Sequence, residues 1–498
     1  MATPIPQNQV SFDLGEVAFA TKGHLVGPRE LRTVGVSTDS RTLKEGALFV
    51  ALVGKKHDGH AHLEEAFTKG ARAALISSAD AAELLRSRGL PFVRVGCTLE
   101  ALGQLAAFHR ERLEKEGRLR WVIAISGAIG KTTTKEMSAR VLEALGIHTL
   151  RSPGNLNNRV GLPMSVFLLT AAHEAAVLEL GSNQPGEISK LASTLSPHVA
   201  IVTALGATHT EALGSIEGVA EEEGSLFRFV RNGPFSALIY GGDEPLLRPQ
   251  VAASASSAHF RVGHEPAHEV CFRELGLGPE GRFHCEYRFS KAQSPPLHLR
   301  LALLGRAASF NGGLALALAL HIGGVEAIQR AGLALEAMEA LPGRGRSVKG
   351  PNGALLVDDS YNANRPSIEN ALNACSELAR ARKGRLVVVL GDVLELGPCE
   401  EGEHRLIGEA VARSGAARFF AIGERMQIAA QIVRHLGATQ VFEAKDVEEI
   451  KRELVDFLEP KDVVLIKGSR GMRMERLIPL LVEHDRASNS THAHEVDP

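Results

Sequence analysis

Apolar positions along the chain follow two periods, and their alternation sets the expected architecture. β-Branched runs such as Trp121-Val122-Ile123-Ala124-Ile125 read as buried strands, while Met137, Val141, Leu142 and Leu145 recur at helical spacing up to a stop at Gly146. Strand-like runs at 121–126, about 175–180, 199–203 and 236–240 alternate with helical stretches. Parallel strands need helical crossovers, so this pattern predicts a mostly parallel, doubly wound sheet. In such sheets ligands sit beyond the carboxyl ends of the strands, which directs attention to the residues just after each run.

A smaller α/β unit is predicted ahead of this sheet, over residues 1–105. It carries the short strands Leu48-Phe49-Val50-Ala51-Leu52 and Ala73-Ala74-Leu75-Ile76, with a helix near 63–67 between them. A helix around 102–113 leads into the middle unit, taken as 106–325, whose 241–300 segment reads as hairpins and loops at its far end. A third unit, 326–498, has strand-like runs at 354–357, 385–390, 419–423 and 462–468, each followed by a polar, glycine-containing turn. It is expected to be a Rossmann-like open sheet without a phosphate loop of its own, ending in a frayed tail over 486–498. The expected fold class is α/β with three domains: a central doubly wound sheet of P-loop ATPase type, a small N-terminal unit and a C-terminal Rossmann-like one.

Composition narrows the function classes. A chain of 498 residues exceeds one core, and 44% apolar with 23% charged residues is globular. A net charge of −2 gives no reason to expect nucleic-acid binding. Five scattered cysteines, with no C-x-x-C pair, suit a reducing compartment and argue against zinc or a disulfide framework. The start lacks the basic and apolar regions of a signal peptide, and the apolar stretch 312–324 is too short to span a bilayer. A cytoplasmic protein without membrane contact is expected.

The chemistry begins after the first middle-unit strand, at Ser126-Gly127-Ala128-Ile129-Gly130-Lys131-Thr132-Thr133. Strand, glycine turn and a helix opening with Lys-Thr make a shortened phosphate-binding loop. Gly127 and Gly130 allow close backbone approach, Lys131 neutralises outer phosphates, and the Thr132 hydroxyl is placed to ligate magnesium. Glu179 ends the next strand, and His209 follows the third, so a carboxylate and an imidazole reach the same sheet edge. A buried strand ending in Glu179 needs a cation to meet that charge, and nucleotide-bound magnesium is the candidate. Asn155, Asn157 and Asn158 form an amide-rich loop suited to neutral polar ligands or to a plain turn. In the first unit, Asp39-Ser40-Arg41 is a polar turn open to a phosphate, a sugar or solvent, and His57-Asp58-Gly59-His60 reads as a turn. Residues 221–223, three glutamates, read as a solvated helix face.

Taken together, these residues resemble the Mur ligase family, the ATP-dependent amide-bond ligases of peptidoglycan precursor synthesis. The resemblance rests on Asp39-Ser40-Arg41, Leu48-Phe49-Val50-Ala51, Asp58-Gly59-His60, Gly130-Lys131-Thr132-Thr133, Asn155-Leu156-Asn157-Asn158 and Glu179-Leu180-Gly181. Thr134-Lys135-Glu136, Gly161-Leu162-Pro163, Asp358-Asp359-Ser360-Tyr361-Asn362-Ala363-Asn364, Leu390-Gly391-Asp392 and Lys467-Gly468-Ser469-Arg470 are similar to the branch that adds D-alanyl-D-alanine to a UDP-N-acetylmuramoyl-tripeptide. The Asp-Asn-Pro-Arg motif of the diaminopimelate- or lysine-adding branch is not found.

The resemblance implies ATP and Mg2+, an acyl-phosphate intermediate and a monomer. It implies that Thr132, Glu179 and His209 surround the metal, that Arg346 reaches the phosphates, that Asp359 meets the ribose and that Asn311 lies beside the adenine. Ser40 and Arg41 become candidates for the uridine diphosphate, and Asn155, Asn157 and Asn158 for the acceptor. The family's carbamate-modified lysine is matched in position by Glu223, an anion on a shorter arm. Further departures are Ala204, Ala307-Ala308, Ala128-Ile129 and Arg365. They leave open a non-catalytic homologue that binds UDP-linked precursors as a scaffold or sensor. A folylpolyglutamate-type ligase is a third reading, against which the full N-terminal unit argues.

Overall fold

A computed structural model describes residues 4–54, 57–206, 210–256, 258–278, 282–290, 294–302, 305–437 and 439–482. The tail expected over 486–498 lies outside them. Strand Trp121–Ser126 is buried along its whole length. Its alternating side chains feed two different cores: Val122 and Ala124 pack on one face of the sheet, Ile123 and Ile125 on the other. Helices Thr98–Lys115, Gly161–Val166 and Glu187–Leu195 cover the first face. Lys131–Ala144 and Arg306–Glu336 pack together over the second.

Among the described residues the middle sheet has nine strands. From one edge the order is Leu297–Leu301, Phe283–Phe289, Val270–Leu277, His259–Gly263, Ala237–Gly241, Val199–Val202, Trp121–Ser126, Ala175–Glu179 and Thr149–Arg151. Trp121–Ser126 pairs in parallel with Ala175–Glu179 on one side and Val199–Val202 on the other, so the connections leaving it diverge there. That divergence opens a crevice at the strand ends. Residues 241–300, expected as hairpins and loops, extend this same sheet through the antiparallel strands Val270–Leu277, Phe283–Phe289 and Leu297–Leu301. Their alternating burial, as in Leu297 to Leu301, follows the period of a strand with one solvated face, which the turn residues had masked.

The third unit is a six-stranded sheet in the order Arg346–Lys349, Leu355–Asp359, Val463–Lys467, Leu386–Gly391, Arg418–Ile422, Gln440–Ala444, with only the first strand antiparallel. The first unit holds a five-stranded sheet. Both boundaries expected from sequence fall inside helices. Position 105 lies within Thr98–Lys115, and 325 lies within Arg306–Glu336, where Gly324 takes a φ of 64°. Helix Ala307–Glu336 is long and apolar enough to cross a membrane by length and composition, but 61% of its most apolar window is buried inside the protein.

The first and middle units share one core. Phe12, Leu48, Leu75 and Val93 belong to the same apolar cluster as Leu105, Phe167 and Leu178. Phe12, wholly buried, sits edge-on to Phe167 with ring centroids 6.0 Å apart and stacks similarly against His109 at 6.1 Å. Burial holds His109 uncharged, with its pKa lowered to about 4. Phe12→Ala is therefore expected to cost about 3–5 kcal/mol in chemical denaturation. A loss below about 1 kcal/mol would mean the two units do not depend on a common core.

Candidate active site

The phosphate loop is shaped by what its glycines avoid. Gly127 has a φ of 125°, and a Cβ there would lie 2.2 Å from Thr203 Oγ1. Gly130, with a φ of 93°, leaves room for Asn311, whose Oδ1 would lie 2.7 Å from an added Cβ. Helix Lys131–Ala144 starts immediately afterwards and has no side-chain cap among the described residues. Its first N–H groups and the positive end of its dipole therefore face the crevice unneutralised, a seat for an anion. Ala128 N and Ile129 N both donate to Ala204 O at 3.0 Å, and Lys131 Nζ donates to Gly127 O.

Glu179, 3% exposed, gathers the rest of the site. Its Oε2 accepts from Thr132 Oγ1 at 2.8 Å and its Oε1 from Asn157 Nδ2 at 2.9 Å. The Thr132 oxygen in turn accepts from the Arg344 guanidinium at 3.0 Å, a contact between the middle and third units. These oxygens flank a cleft of about 920 Å³ lined by both units. Gly130, Lys131, Thr132, Thr133, Asn155, Asn157, Asn158 and Glu179 line it, as do Asn311 and Asp359. Carboxylate, hydroxyl and amide oxygens are the donors a magnesium ion takes, so the residues present fit that ion. His209, the remaining candidate ligand, lies outside the described residues.

Arg344 went unnoticed in the sequence, where Arg346 took its place. Arg346 is exposed, opens strand Arg346–Lys349 opposite Asp358, and does not line the cleft. Arg344 lies over the ring of Tyr361, its guanidinium carbon 4.1 Å from the centroid. The turn that aims it is pinned by Gly343 N to Asp358 Oδ2 at 2.9 Å and Tyr361 N to Gly343 O at 3.0 Å. Two arginines separated by one glycine are indistinguishable by spacing; only the packing of Tyr361 separates them. Asp359 Oδ2 pairs with Lys467 Nζ at 2.6 Å, and that ammonium also donates to Asn362 O at 2.9 Å.

The three glutamates do not form the solvated face expected of them: only Glu221 is exposed. Glu222 caps helix Glu187–Leu195, accepting from Gly186 N at 2.6 Å and Ile188 N at 2.8 Å. Glu223, 3% exposed, reaches behind the loop, accepting from Gly127 N at 2.8 Å and Ser182 Oγ at 3.4 Å. Burial raises its pKa, opposed mainly by the nearby Lys131 ammonium and the Gly127 N–H. A run of like charges hid these roles, because nothing in it says which positions turn inward.

Other candidates take supporting places. Asn158 Oδ1 accepts from Val160 N at 3.1 Å and Gly161 N at 2.8 Å, fixing the start of the next helix. Ser40 is buried and donates to Glu65 Oε2 at 2.8 Å, whereas Arg41 is exposed and forks onto Asp39 at 2.7 and 2.9 Å. Neither lines the cleft. The His57–His60 segment is a turn in which His60 Nε2 accepts from Ser77 N at 2.9 Å.

Three family descriptions match the chain: "Mur ligase family, catalytic domain" over 32–110, "Mur ligase middle domain" over 125–319 and "Mur ligase, glutamate ligase domain" over 343–470. Among curated proteins, the chain is 33% identical to the UDP-N-acetylmuramoyl-tripeptide–D-alanyl-D-alanine ligase of Treponema pallidum, over 95% of this chain and 99% of that one. It is 31% identical to the ligase of the same name from Escherichia coli, again over 95% and 99%. Among solved structures it is similar to the UDP-N-acetylmuramoylalanyl-D-glutamyl-2,6-diaminopimelate–D-alanyl-D-alanyl ligase from Acinetobacter baumannii. There the TM-score is 0.80 at 27% identity, covering 96% of this chain and 99% of that one.

The raised pKa of Glu223 has a consequence for stability. A carboxyl that titrates higher in the native state than its ordinary 4.5 holds more protons when folded, so stability falls as pH rises through that interval and levels off above it. Glu223→Gln keeps the acceptor oxygen and removes the titration. The Tm of this variant relative to the parent is expected to climb as pH increases from about 4.5 to the native value; a difference independent of pH would contradict the assignment.

Proposed function

The chain belongs to the Mur ligase family, and we propose that it catalyses the reaction for which its relatives are named, joining D-alanyl-D-alanine to a UDP-N-acetylmuramoyl-tripeptide at the expense of ATP. The observation that carries this reading is the line of contacts from Arg344 through Thr132 to Glu179, which puts a guanidinium of the third unit and a hydroxyl and buried carboxylate of the middle unit around one cleft. Similarity over 95% of the chain to UDP-N-acetylmuramoyl-tripeptide–D-alanyl-D-alanine ligases favours this branch over a folylpolyglutamate-type ligase.

In the proposed mechanism, ATP lies in the cleft with its outer phosphates against the N-terminus of helix Lys131–Ala144. Lys131 and Arg344 balance the charge that builds up as the terminal acceptor carboxylate attacks the γ-phosphorus. The new P–O bond replaces the bond to ADP and leaves an acyl phosphate. The D-alanyl-D-alanine amine then attacks the acyl carbon, phosphate departs, and the amine loses a proton as the amide forms. No covalent protein intermediate is needed; positioning and charge neutralisation do the chemistry. Thr132 and Glu179 would hold a magnesium ion, which supplies further neutralisation of the phosphates when bound. Asp359 and Asn311, which both line the cleft, take the ribose and the adenine in this reading. Glu223 holds the loop by Gly127 and keeps an anion near Lys131, in the position of the family's carbamate. Ser40 and Arg41 belong to the proposed uridine diphosphate site in the first unit.

The setting we propose is the cytoplasm, as a monomer acting in peptidoglycan precursor synthesis and hence in cell shape and division, without a nucleic-acid or membrane partner.

Phosphate release on mixing ATP, UDP-tripeptide and D-alanyl-D-alanine tests this reading, since a scaffold or sensor would release none above background. Lys131→Ala is expected to abolish turnover with an unchanged fold by circular dichroism. Arg344→Ala is expected to lower kcat by about 100-fold, and Arg346→Ala to change it by less than about twofold. Equal losses in the two arginine variants would return the phosphate contact to open question and remove Arg344 from the mechanism.

A further inference from the structure

A second cavity, of about 290 Å³, adjoins the cleft through consecutive residues: Asn158 lines the cleft and Arg159 lines the cavity. Its walls come from helices Thr98–Lys115, Gly161–Val166 and Glu187–Leu195, where the first and middle units meet. Six polar side chains border it: Glu100, Gln104, Arg159, Lys190, Ser193 and Thr194. Ser193 Oγ and Thr194 Oγ1 donate to Lys190 O at 2.8 and 3.3 Å, which leaves their oxygens as acceptors toward any ligand. Arg159 is half-buried and its guanidinium has no hydrogen-bond or ion-pair partner among the described residues; Lys190 and Glu100, at the exposed rim, have none among them either. A partly desolvated guanidinium without an acceptor is costly, so its place on a cavity wall points to an anion that completes it.

The charges present fit more than a bare anion. Two cations accommodate a carboxylate, and Glu100 with the two hydroxyl oxygens accommodates an ammonium: together they match the ammonium–carboxylate end of an amino acid. The acceptor of the Acinetobacter relative carries such an end, because 2,6-diaminopimelate has a second amino-acid group at the far end of its side chain. With the reacting carboxylate held in the cleft, that far end lies about 6 Å further on along extended bonds, a reach that exceeds the roughly 3.8 Å between consecutive Cα atoms such as those of Asn158 and Arg159. Lysine in the same position would bring an ammonium alone and leave Arg159 and Lys190 without a counter-charge.

Resting on the ligase reading above, we propose that this cavity is the subsite for the third residue of the acceptor peptide. It binds the distal ammonium–carboxylate end of 2,6-diaminopimelate and thereby selects that tripeptide over one ending in lysine. Arg159 and Lys190 are positioning residues that never touch the reacting atoms, so their effect belongs in KM and not in kcat.

Steady-state ligation with the two UDP-tripeptides and a common D-alanyl-D-alanine tests this on the full chain. The parent is expected to show at least a tenfold lower KM for the diaminopimelate acceptor. Arg159→Gln is expected to raise that KM about tenfold with kcat moved less than twofold, to leave the KM for the lysine acceptor within twofold, and to be largely rescued by Arg159→Lys. Lys190→Gln should act in the same direction. Equal KM values for both acceptors in the parent overturn the proposal. So does an equal rise for both in Arg159→Gln, which would give the cavity to a carboxylate common to the two peptides, such as that of the D-glutamyl residue. Failure of the parent to ligate either acceptor is a different result, and overturns the ligase reading together with this inference.

Discussion

A carboxylate buried at the end of a central strand has to be hydrogen-bonded on both oxygens, and the way Glu179 meets that requirement organises the protein. One oxygen is satisfied by the first turn of the helix after the phosphate loop, the other by the asparagine-rich loop. The threonine that serves it is itself held by Arg344 from the third unit. Three segments distant in sequence are thus referred to one buried charge. The nine-stranded sheet supplies the rigidity: every residue of Ala175–Glu179 is buried, so the carboxylate cannot turn to solvent to escape its partners.

The phosphate loop is held by the same economy of buried charge. Gly127 is squeezed against Thr203 on one side and donates its N–H to the Glu223 carboxylate on the other. Burial raises the pKa of that carboxyl, and the nearby Lys131 ammonium opposes the rise. The loop amides of Ala128 and Ile129 bind the Ala204 carbonyl, while the helix start at Lys131 stays uncapped. The anion seat is therefore the helix end and its lysine.

Much of this was legible before any coordinates. Trp121–Ser126 and the helix after it declared themselves by periodicity, and the glycines with Lys131 and Thr132 by spacing; both survive because burial and phosphate geometry impose them locally. What stayed hidden depends on tertiary contacts. A run of three glutamates carries no record of which positions face inward, yet Glu222 and Glu223 are both buried and each accepts two hydrogen bonds. Arg344 and Arg346 differ only in what packs beneath them, and Tyr361, seventeen residues on from Arg344, makes the choice. The hairpins read between 241 and 300 are present, and what stayed hidden is that their strands extend the middle sheet. The unit boundaries were obscured by helices that run through them; Thr98–Lys115 packs into the core that the first and middle units share, and so has no reason to break at 105.

The central claim is that the two walls of the cleft close on one nucleotide. Amide hydrogen exchange with and without magnesium and a non-hydrolysable ATP analogue tests it most directly. Slowed exchange is expected both in 127–134 of the middle unit and in 343–364 of the third, with the first-unit segment 37–41 unchanged. Slowing confined to the middle unit, or none in either segment, would contradict it.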